Sequence, residues 1–324
     1  MIKAALKLAI VCGVALAAHS FTFAVALAAD DAAKFEVGFA KRDITPPVGV
    51  PMWGYGARHD MLSIGTLDPL FAKAVVIHAG DDKVALVGLD IGRGPTAPMM
   101  EQIRATIAEK AKIKHVMISG SHSHHGPVIE LTDREGYGKG KFEKAVDYSR
   151  KLPELIAEAI LEADKNAKPA RMGVAKRTDL QLSRNRQSKR EKKITDPMIG
   201  VLRFDDEAGQ PIAVLVNFTA HPVMTDNKIL KYSADYPGFM QNKVESVLKT
   251  NCMFMQGASG DQSPNAPAGH QGPQGFGEHL GDIVAELASS IKTEVPKTPS
   301  VQGKVDDYVF RSRLDFSNPL LVAG

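Results

Sequence analysis

Cysteine is almost absent from this 324-residue sequence, which contains only Cys12 and Cys252. Cys12 falls in an N-terminal stretch that we predict to be removed, so the remaining chain can form no internal disulfide. The sequence therefore excludes a disulfide scaffold and predicts a fold held by its hydrophobic core. Cys252 lies in an apolar run, which indicates a buried strand residue rather than a nucleophile, because a reactive thiolate needs an accessible, electropositive setting.

A large excess of either charge is also missing, since 40 Lys and Arg residues face 37 Asp and Glu residues. This balance does not favour a polyanionic partner. The basic segment from Gln181 to Lys193 contains no aromatic side chains, which single-strand nucleic-acid binding would use as stacking platforms. We therefore expect no nucleic-acid partner and interpret most of this segment as a solvated loop.

The N-terminal stretch has the pattern of a secretory signal peptide. Two lysines precede an apolar segment that runs from Leu8 to Leu27, and Ala26-Leu27-Ala28 is a small-x-small cleavage site. Polar residues interrupt the apolar segment, which disfavours the alternative of an uncleaved membrane anchor. We expect residues 1–28 to be a signal peptide and the protein to be exported, periplasmic or secreted.

Low-complexity linkers and internal repeats are absent from Val37 onward, which favours one compact domain. The segments Val84–Asp90 and His115–Ser119 have buried-strand patterns and flank an amphipathic helix. Strand, helix and strand at this spacing predict a right-handed crossover between parallel strands. The same pattern recurs from Pro211–Phe218 to Cys252–Met255.

Two further helices are predicted from their apolar stripes. One covers Leu152–Ala163, with Pro153 in its first turn, where proline is tolerated. The other covers Phe276–Ile291. The alternation of strands and helices predicts an α/β fold.

Three polar runs each follow one of the predicted strands. They are Ser119–Pro127, Asn217–Pro222 and Gln256–Asn265. Sites of α/β proteins form outside the carboxyl ends of strands. We therefore expect the three runs to form the site of a metal-assisted hydrolase.

The histidines of the first two runs are the candidate metal ligands. His122 and His124 are two residues apart, so on an extended backbone both imidazoles would point the same way and His125 would face away. His221 comes from another strand end. Zinc is the expected metal, because imidazole suits it and a catalytic site uses about three protein ligands plus water. The alternative is a polar loop whose imidazoles bond the backbone. The candidates for a carboxylate ligand are Asp235 and Asp261.

The third run contains Ser263 within Gly260–Asn265. The Gly-x-Ser-x-Gly pattern of a nucleophile elbow is absent. Gly, Asp, Pro and Asn are turn formers, so this run on its own favours a turn.

Taken in order, these motifs resemble those of the neutral, or non-lysosomal, ceramidase family. The corresponding segments are Gly38–Pro46, Met52–Tyr55, Gly120–Pro127, Asn185–Arg186, Phe218–His221 and Gly260–Asn265. His125 and Gln187 stand where the family motifs have serine. The last motif is the most specific of the set.

The resemblance implies two twisted mixed β-sheets flanked by helices. It also implies zinc-dependent hydrolysis of the N-acyl bond of a ceramide-like lipid, which yields a fatty acid and a sphingoid base. By this resemblance His122 and His221 are zinc ligands, and His124 is an acid–base or oxyanion-stabilising neighbour. Arg186 becomes a substrate-positioning cation and Ser263 the catalytic serine. The implied partner is a lipid-like or N-acylated small molecule, with contact to a membrane surface as a further expectation.

The family's other zinc ligands, a glutamate and a tyrosine, lie further along than this chain extends. The sequence alternates in polarity from Phe310 to Phe316, as in a half-buried strand, and stops at the apolar Leu320–Gly324. We therefore expect residues 29–324 to be a catalytic domain that is incomplete at its C-terminus. The alternatives are an exported metal-dependent esterase or amidase for a small polar substrate, and an inactive binding domain with an incomplete metal site.

Overall fold

The computed structural model describes residues 34–58, 60–129, 135–306 and 308–309. The predicted signal peptide and the predicted strand Phe310–Phe316 lie outside the described residues. The strands are β1 (Phe35–Asp43), β2 (Gly65–Thr66), β3 (Phe71–Ala79), β4 (Asp82–Leu89), β5 (His115–Gly120), β6 (Glu135–Gly140), β7 (Lys168–Arg177), β8 (Ser183–Asn185), β9 (Ile199–Asp206), β10 (Pro211–Phe218), β11 (Lys231–Tyr232), β12 (Asn251–Gln256) and β13 (Gln262–Pro264). The α-helices are α1 (Ala97–Ala111), α2 (Glu143–Lys165), α3 (Asp235–Leu248) and α4 (Gly272–Ser290), and Gly56–Arg58 forms a 3₁₀ turn.

Eight of these strands form one continuous hydrogen-bonded series, in which the short pairing of β1 with β7 is a corner that joins two four-stranded sheets. Their order is β1-β3-β4-β5 in the first sheet and β7-β9-β10-β12 in the second. The corner is a short antiparallel pairing of β1 with β7 at Glu36 and Val37. Each sheet is mixed, because its last pair, β4 with β5 or β10 with β12, is parallel and its other pairs are antiparallel.

Alternating side chains show that the two sheets pack face to face. In β3 and β10, Val75 and Leu215 belong to a core between the sheets, whereas Val76 and Val216 pack outward against helices. This is the period of two expected of a strand that is buried on both faces. Helices α1 and α2 cover the first sheet, and α3 and α4 cover the second. The structure confirms the expected α/β fold of two mixed sheets flanked by helices.

Both parallel crossovers are also confirmed, since α1 connects β4 with β5 and α3 connects β10 with β12. Cys252 is a buried strand residue of β12, and burial raises the pKa of its thiol to about 12.

The prediction for Pro153 is wrong. Helix α2 begins ten residues earlier, at Glu143, so the proline lies inside a 23-residue helix. An interior proline removes one backbone hydrogen bond. The buried stripe of α2, which includes Leu152, Ile156 and Ile160, carries the helix through this interruption, because burial of such side chains stabilises it by several kcal/mol.

No helix within the described part of the chain is long and apolar enough to cross a membrane.

Candidate metal and catalytic site

The histidines of the two polar runs come together outside the carboxyl ends of the parallel strands. His122 and His124 follow β5, and His221 follows β10. Their ligand nitrogens all lie within 4.8 Å of one another, and no other such group of three or more potential ligands occurs in the part of the chain that the structure describes. The Nε2 atoms of His124 and His221 are 2.9 Å apart, and the rings of His122 and His221 are 4.4 Å apart.

The backbone that presents His122 is not extended as the sequence pattern predicted. Its φ of 70° is in the left-handed region, which a residue with a side chain adopts only where the surroundings enforce it. His125 is fully buried away from the group, with its Nε2 3.1 Å from the carbonyl of Asp226. The His125 ring therefore points away from the other histidines because the loop bends, and not because side chains alternate along a strand.

The second ring nitrogen distinguishes the three imidazoles. A histidine that binds a metal through one nitrogen usually donates the other N–H to a carbonyl or carboxylate oxygen. Nδ1 of His221 lies 3.2 Å from the carbonyl of Ser259, and the imidazole of His122 hydrogen-bonds the backbone of Gly92. Nδ1 of His124 is buried without a hydrogen-bond partner among the described residues. His122 and His221 thus have the support that a ligand needs, and His124 does not.

Burial keeps these imidazoles neutral. It lowers the pKa of His124 to about 3, with the nearby His221 as the next cause, and the pKa of His221 to about 4. Burial also lowers the pKa of His122. Neutral imidazole is the form that binds metals. One neutral imidazole of the pair His124 and His221 donates its Nε2–H to the other at 2.9 Å. The donor set fits a metal ion, because three neutral imidazoles offer ligand nitrogens within 4.8 Å of one another.

Arg186 follows β8 and reaches His221. Its Nη2 lies 2.9 Å from Nδ1 of His221 and 2.9 Å from the carbonyl of Gly260. Nδ1 of His221 cannot accept from Arg186 and also donate to Ser259, because one tautomer offers a lone pair there and the other a proton. A metal ion on Nε2 would select the tautomer that donates to Ser259, and the exposed guanidinium of Arg186 would then keep its hydrogen bond to the carbonyl of Gly260.

Ser263 follows a residue that is bonded to the His221 loop but makes no hydrogen bond with the histidine group in the described structure. It is the middle residue of β13, between the buried Gln262 and Pro264, and is itself half-buried. The amide of His221 donates to the carbonyl of Gln262 at 2.9 Å. Strand alternation turns the Ser263 side chain away from the face that Gln262 buries.

Neither predicted carboxylate belongs to the histidine group. The Asp235 carboxylate accepts from the amides of Met224 and Thr225, at 3.0 and 2.7 Å. The Asp261 carboxylate accepts from the side-chain amide of Asn185 at 2.7 Å. The suggestion that one of them is a ligand is wrong for this structure, because both are engaged in holding loops.

A short segment, Ser233–Asp235, joins the two histidine loops and was not identified from the sequence. The Ser233 amide donates to the carbonyl of His125 at 3.1 Å, and the Ser123 hydroxyl donates to the carbonyl of Ser233 at 2.6 Å. Through its carboxylate, Asp235 binds the loop after His221. We call this segment the clasp. The available signal was a Ser-Ala-Asp triplet directly before a predicted helix.

Aromatic side chains form a wall beside the histidines. The Trp53 ring lies 4.9 Å from that of His122, and the Tyr55 ring lies 4.7 Å from that of His124. The Arg58 guanidinium stacks on Tyr55 at 4.7 Å and donates to the carbonyl of His124. In the sequence, only the resemblance of Met52–Tyr55 to a family motif indicated these residues.

A cavity of about 440 Å³ begins at this wall. It is lined by Tyr55, Arg58, Met61, Asn227, Lys228 and Leu230.

Residues 35–275 match the family described as neutral/alkaline non-lysosomal ceramidase, N-terminal. The chain belongs to this family. It is 26% identical over 243 residues to a neutral ceramidase of Oryza sativa subsp. japonica, covering 67% of this chain and 30% of that protein. It is 28% identical over 200 residues to neutral ceramidase 3 of Arabidopsis thaliana, covering 55% of this chain and 26% of that protein. The chain thus spans less than a third of these relatives.

Two solved structures share the fold of this ceramidase-family chain. The neutral ceramidase from Pseudomonas aeruginosa superposes with a TM-score of 0.66 at 22% identity, over 81% of this chain and 45% of that one. A ceramidase complexed with C2 superposes with a TM-score of 0.67 at 21% identity, over 84% of this chain and 45% of that one.

Proposed function

We propose that this chain carries the histidine site of a zinc-dependent amide hydrolase. The substrate would be a ceramide-like N-acyl-sphingoid base, cleaved to a fatty acid and a sphingoid base. One observation carries the proposal: two histidines whose imidazoles hydrogen-bond the backbone of Gly92 and Ser259 stand beside a neutral third histidine, in a member of the ceramidase family.

His122 and His221 would hold the metal. Their imidazoles hydrogen-bond the backbone of Gly92 and Ser259, and such bonds orient the rings of metal ligands. A zinc ion held there supplies Lewis-acid polarisation of the substrate carbonyl.

His124 would stabilise the negative charge that develops on the substrate. In the described structure its Nε2 is paired with Nε2 of His221. Once His221 uses that nitrogen as a ligand atom, the Nε2–H of His124 loses its acceptor. The neutral imidazole can then donate a hydrogen bond to the carbonyl oxygen of an amide, as an oxyanion-stabilising group does.

The substrate would lie between Arg186 and the aromatic wall. The exposed guanidinium of Arg186 can bind the polar part of the substrate, and Ser263 lies one residue from the Gln262 carbonyl that holds the His221 amide. We propose that Ser263 contacts the same substrate. The cavity that begins at Tyr55 has the size of small-molecule sites and would take an apolar chain. We also propose export, with residues 1–28 as the signal peptide.

The test is release of sphingoid base from a short-chain N-acylsphingosine by the complete gene product, with zinc and after chelation. Chelator-sensitive hydrolysis is expected, with zinc retained but turnover reduced in His124→Gln. Hydrolysis of small polar esters or amides without hydrolysis of N-acylsphingosine would instead identify a polar-substrate esterase or amidase. Zinc loss from His124→Gln would contradict this role, because it would make His124 a metal ligand.

A further inference from the structure

A group of exposed apolar side chains lies close to the cavity. Within residues 61–67, four apolar side chains are 44–66% exposed, and apolar side chains in two neighbouring segments are exposed as well. We call this surface the apolar patch. Its members are Val48, Met61, Leu62, Ile64, Leu67 and Ile229.

Backbone hydrogen bonds hold the three segments of the patch side by side. The amide of Gly49 donates to Ser63 at 3.1 Å, and the amide of Ile64 donates to Leu230 at 2.8 Å. Strand β2 also pairs with β11. The segments that carry the exposed side chains are therefore held next to one another. Soluble proteins rarely expose contiguous apolar surface unless it has a binding role.

Three lysines border the apolar patch. The Lys144 ammonium donates to the carbonyl of Val48 at 3.3 Å, and the stem of Lys231 lies against Gly65. Lys228 is exposed next to Ile229. Two acidic residues near the patch have local partners: the Asp60 carboxylate accepts from Lys141 at 2.7 Å, and the Asp226 carboxylate accepts from the Lys228 amide at 2.9 Å. The apolar patch thus has three lysines at its border.

The cavity extends from this surface to Tyr55, which lies beside His124. Met61 of the apolar patch and Lys228 of its border line the cavity together with Tyr55. The Tyr55 ring lies 4.7 Å from the ring of His124. If another surface lay against the patch, an apolar molecule that left that surface would therefore enter the cavity and move towards the histidines.

We propose that the apolar patch and its three lysines dock onto the anionic surface of a lipid bilayer. The apolar side chains would enter the boundary between headgroups and acyl chains, and the lysines would reach the lipid phosphates, as in other interfacial proteins. The proposal deepens the proposed function by naming the surface from which the lipid substrate is taken. Docking itself requires no hydrolysis.

The test is co-flotation of the full chain with vesicles of phosphatidylcholine, alone or mixed with phosphatidylglycerol. The triple variant Lys144→Gln/Lys228→Gln/Lys231→Gln removes the basic border. A lysine beside an anionic surface contributes ~1 kcal/mol, or about five-fold in partitioning, so the triple variant should bind mixed vesicles about 100-fold more weakly. A matched control changes Lys189, Lys192 and Lys193 of the basic loop to Gln and should bind like the wild type.

The variant Ile64→Ser/Leu67→Ser tests the apolar part. It should weaken binding to both kinds of vesicle, whereas loss of the lysines should weaken binding to mixed vesicles only. Absence of wild-type binding to either vesicle would overturn the proposal, as would equal loss in the control. The proposal would also be overturned if the wild type bound no vesicles but sedimented as a dimer that the apolar variant disrupts. Hydrolysis of detergent-dispersed N-acylsphingosine, measured in parallel, separates failure of docking from failure of the proposed activity.

Discussion

The two halves of the molecule, Phe35–Lys165 and Lys168–Ser290, repeat one topology and differ in what they bring to the site. Each half has three antiparallel strands, a helix, a parallel strand and a second helix. The two parallel ladders have the same length. The β4–β5 ladder ends at the pair Leu89–Gly120, and the β10–β12 ladder ends at the pair Phe218–Gln256. No matching repeat is visible in the residues, so the repetition is one of chain path.

The halves exchange the roles of their two loops. In the first half the loop after the parallel strand supplies the imidazole, His122, and the loop after β4 supplies its backbone partner, Gly92. In the second half the loop after β10 supplies the imidazole, His221, and the loop after the parallel strand supplies the partner, Ser259. Gly92 and His221 each lie three residues beyond the last ladder pair of their strands. The repeated fold thus provides two adjacent loops per half, and the loop sequence decides which one carries the ligand.

The largest expected effect comes from removing one ligand in either half. His122→Ala and His221→Ala should each lose most bound zinc, because a single remaining imidazole holds the ion weakly. Metal analysis after dialysis measures this. His279→Ala, a half-exposed histidine of α4, is the control and should keep the wild-type zinc content. Retention of zinc in one of the two site variants would show that only one half binds the metal.

The sequence was sufficient for the crossovers and for the histidine group because both leave local signals. Apolar runs such as Val84–Leu89 mark buried strands, and a histidine after such a strand lies at a sheet edge where loops meet. The left-handed backbone at His122 leaves no such signal, since it depends on the surrounding loops. The bond between Ser123 and Ser233 of the clasp likewise could not be predicted, because it joins residues 110 positions apart.

The second prediction tests the clasp by comparing the residue at the start of α3 with the residue at the start of α1. The carboxylate of Asp235 binds two amides of the His221 loop, whereas Thr96, at the start of α1, makes no side-chain capping bond. Asp235→Asn replaces one accepting oxygen by a donor and should lower zinc affinity ~10–100-fold, as for other residues that support metal ligands. Competition with a chelating dye measures the affinity.

Thr96→Ala is the matched control for this change and should leave zinc affinity unaltered. Equal zinc affinity in Asp235→Asn and the wild type, with a lowered melting temperature, would reduce the clasp to a stabilising feature of the fold.

The third prediction tests the aromatic wall of the first half. Gly54 has a φ of 109°, and a Cβ there would lie 2.5 Å from Cγ of His124. Gly54→Ala should therefore displace His124 and lower turnover about ten-fold. The overpacking should also lower the free energy of unfolding by ~1–3 kcal/mol. Gly209→Ala in the second half is the control, because Gly209 has a φ of 79° and open space around it. If both variants behave alike, backbone strain rather than contact with His124 explains the effect.

The smallest effect is expected at a polar contact between the halves. The Asp68 carboxylate accepts from the amide of Ala234 at 2.7 Å, and burial raises the pKa of Asp68 to about 6. A carboxyl whose pKa is higher in the folded state binds its proton more tightly there, so it favours the folded state below pH ~4. This contribution is lost as the pH rises towards 6. Since Asp68 is only half-buried, the change should be about 1 kcal/mol.

Asp68→Asn keeps an oxygen for the Ala234 amide and cannot ionise. The difference in unfolding free energy between the wild type and this variant, measured with urea on metal-free protein, should therefore change between pH ~4 and 7, with the wild type losing stability relative to the variant. Taking the difference cancels the titration of the other buried groups, which both proteins share. A difference that is constant across this range would mean that Asp68 has an ordinary pKa and that the contact between the halves depends on the hydrogen bond alone.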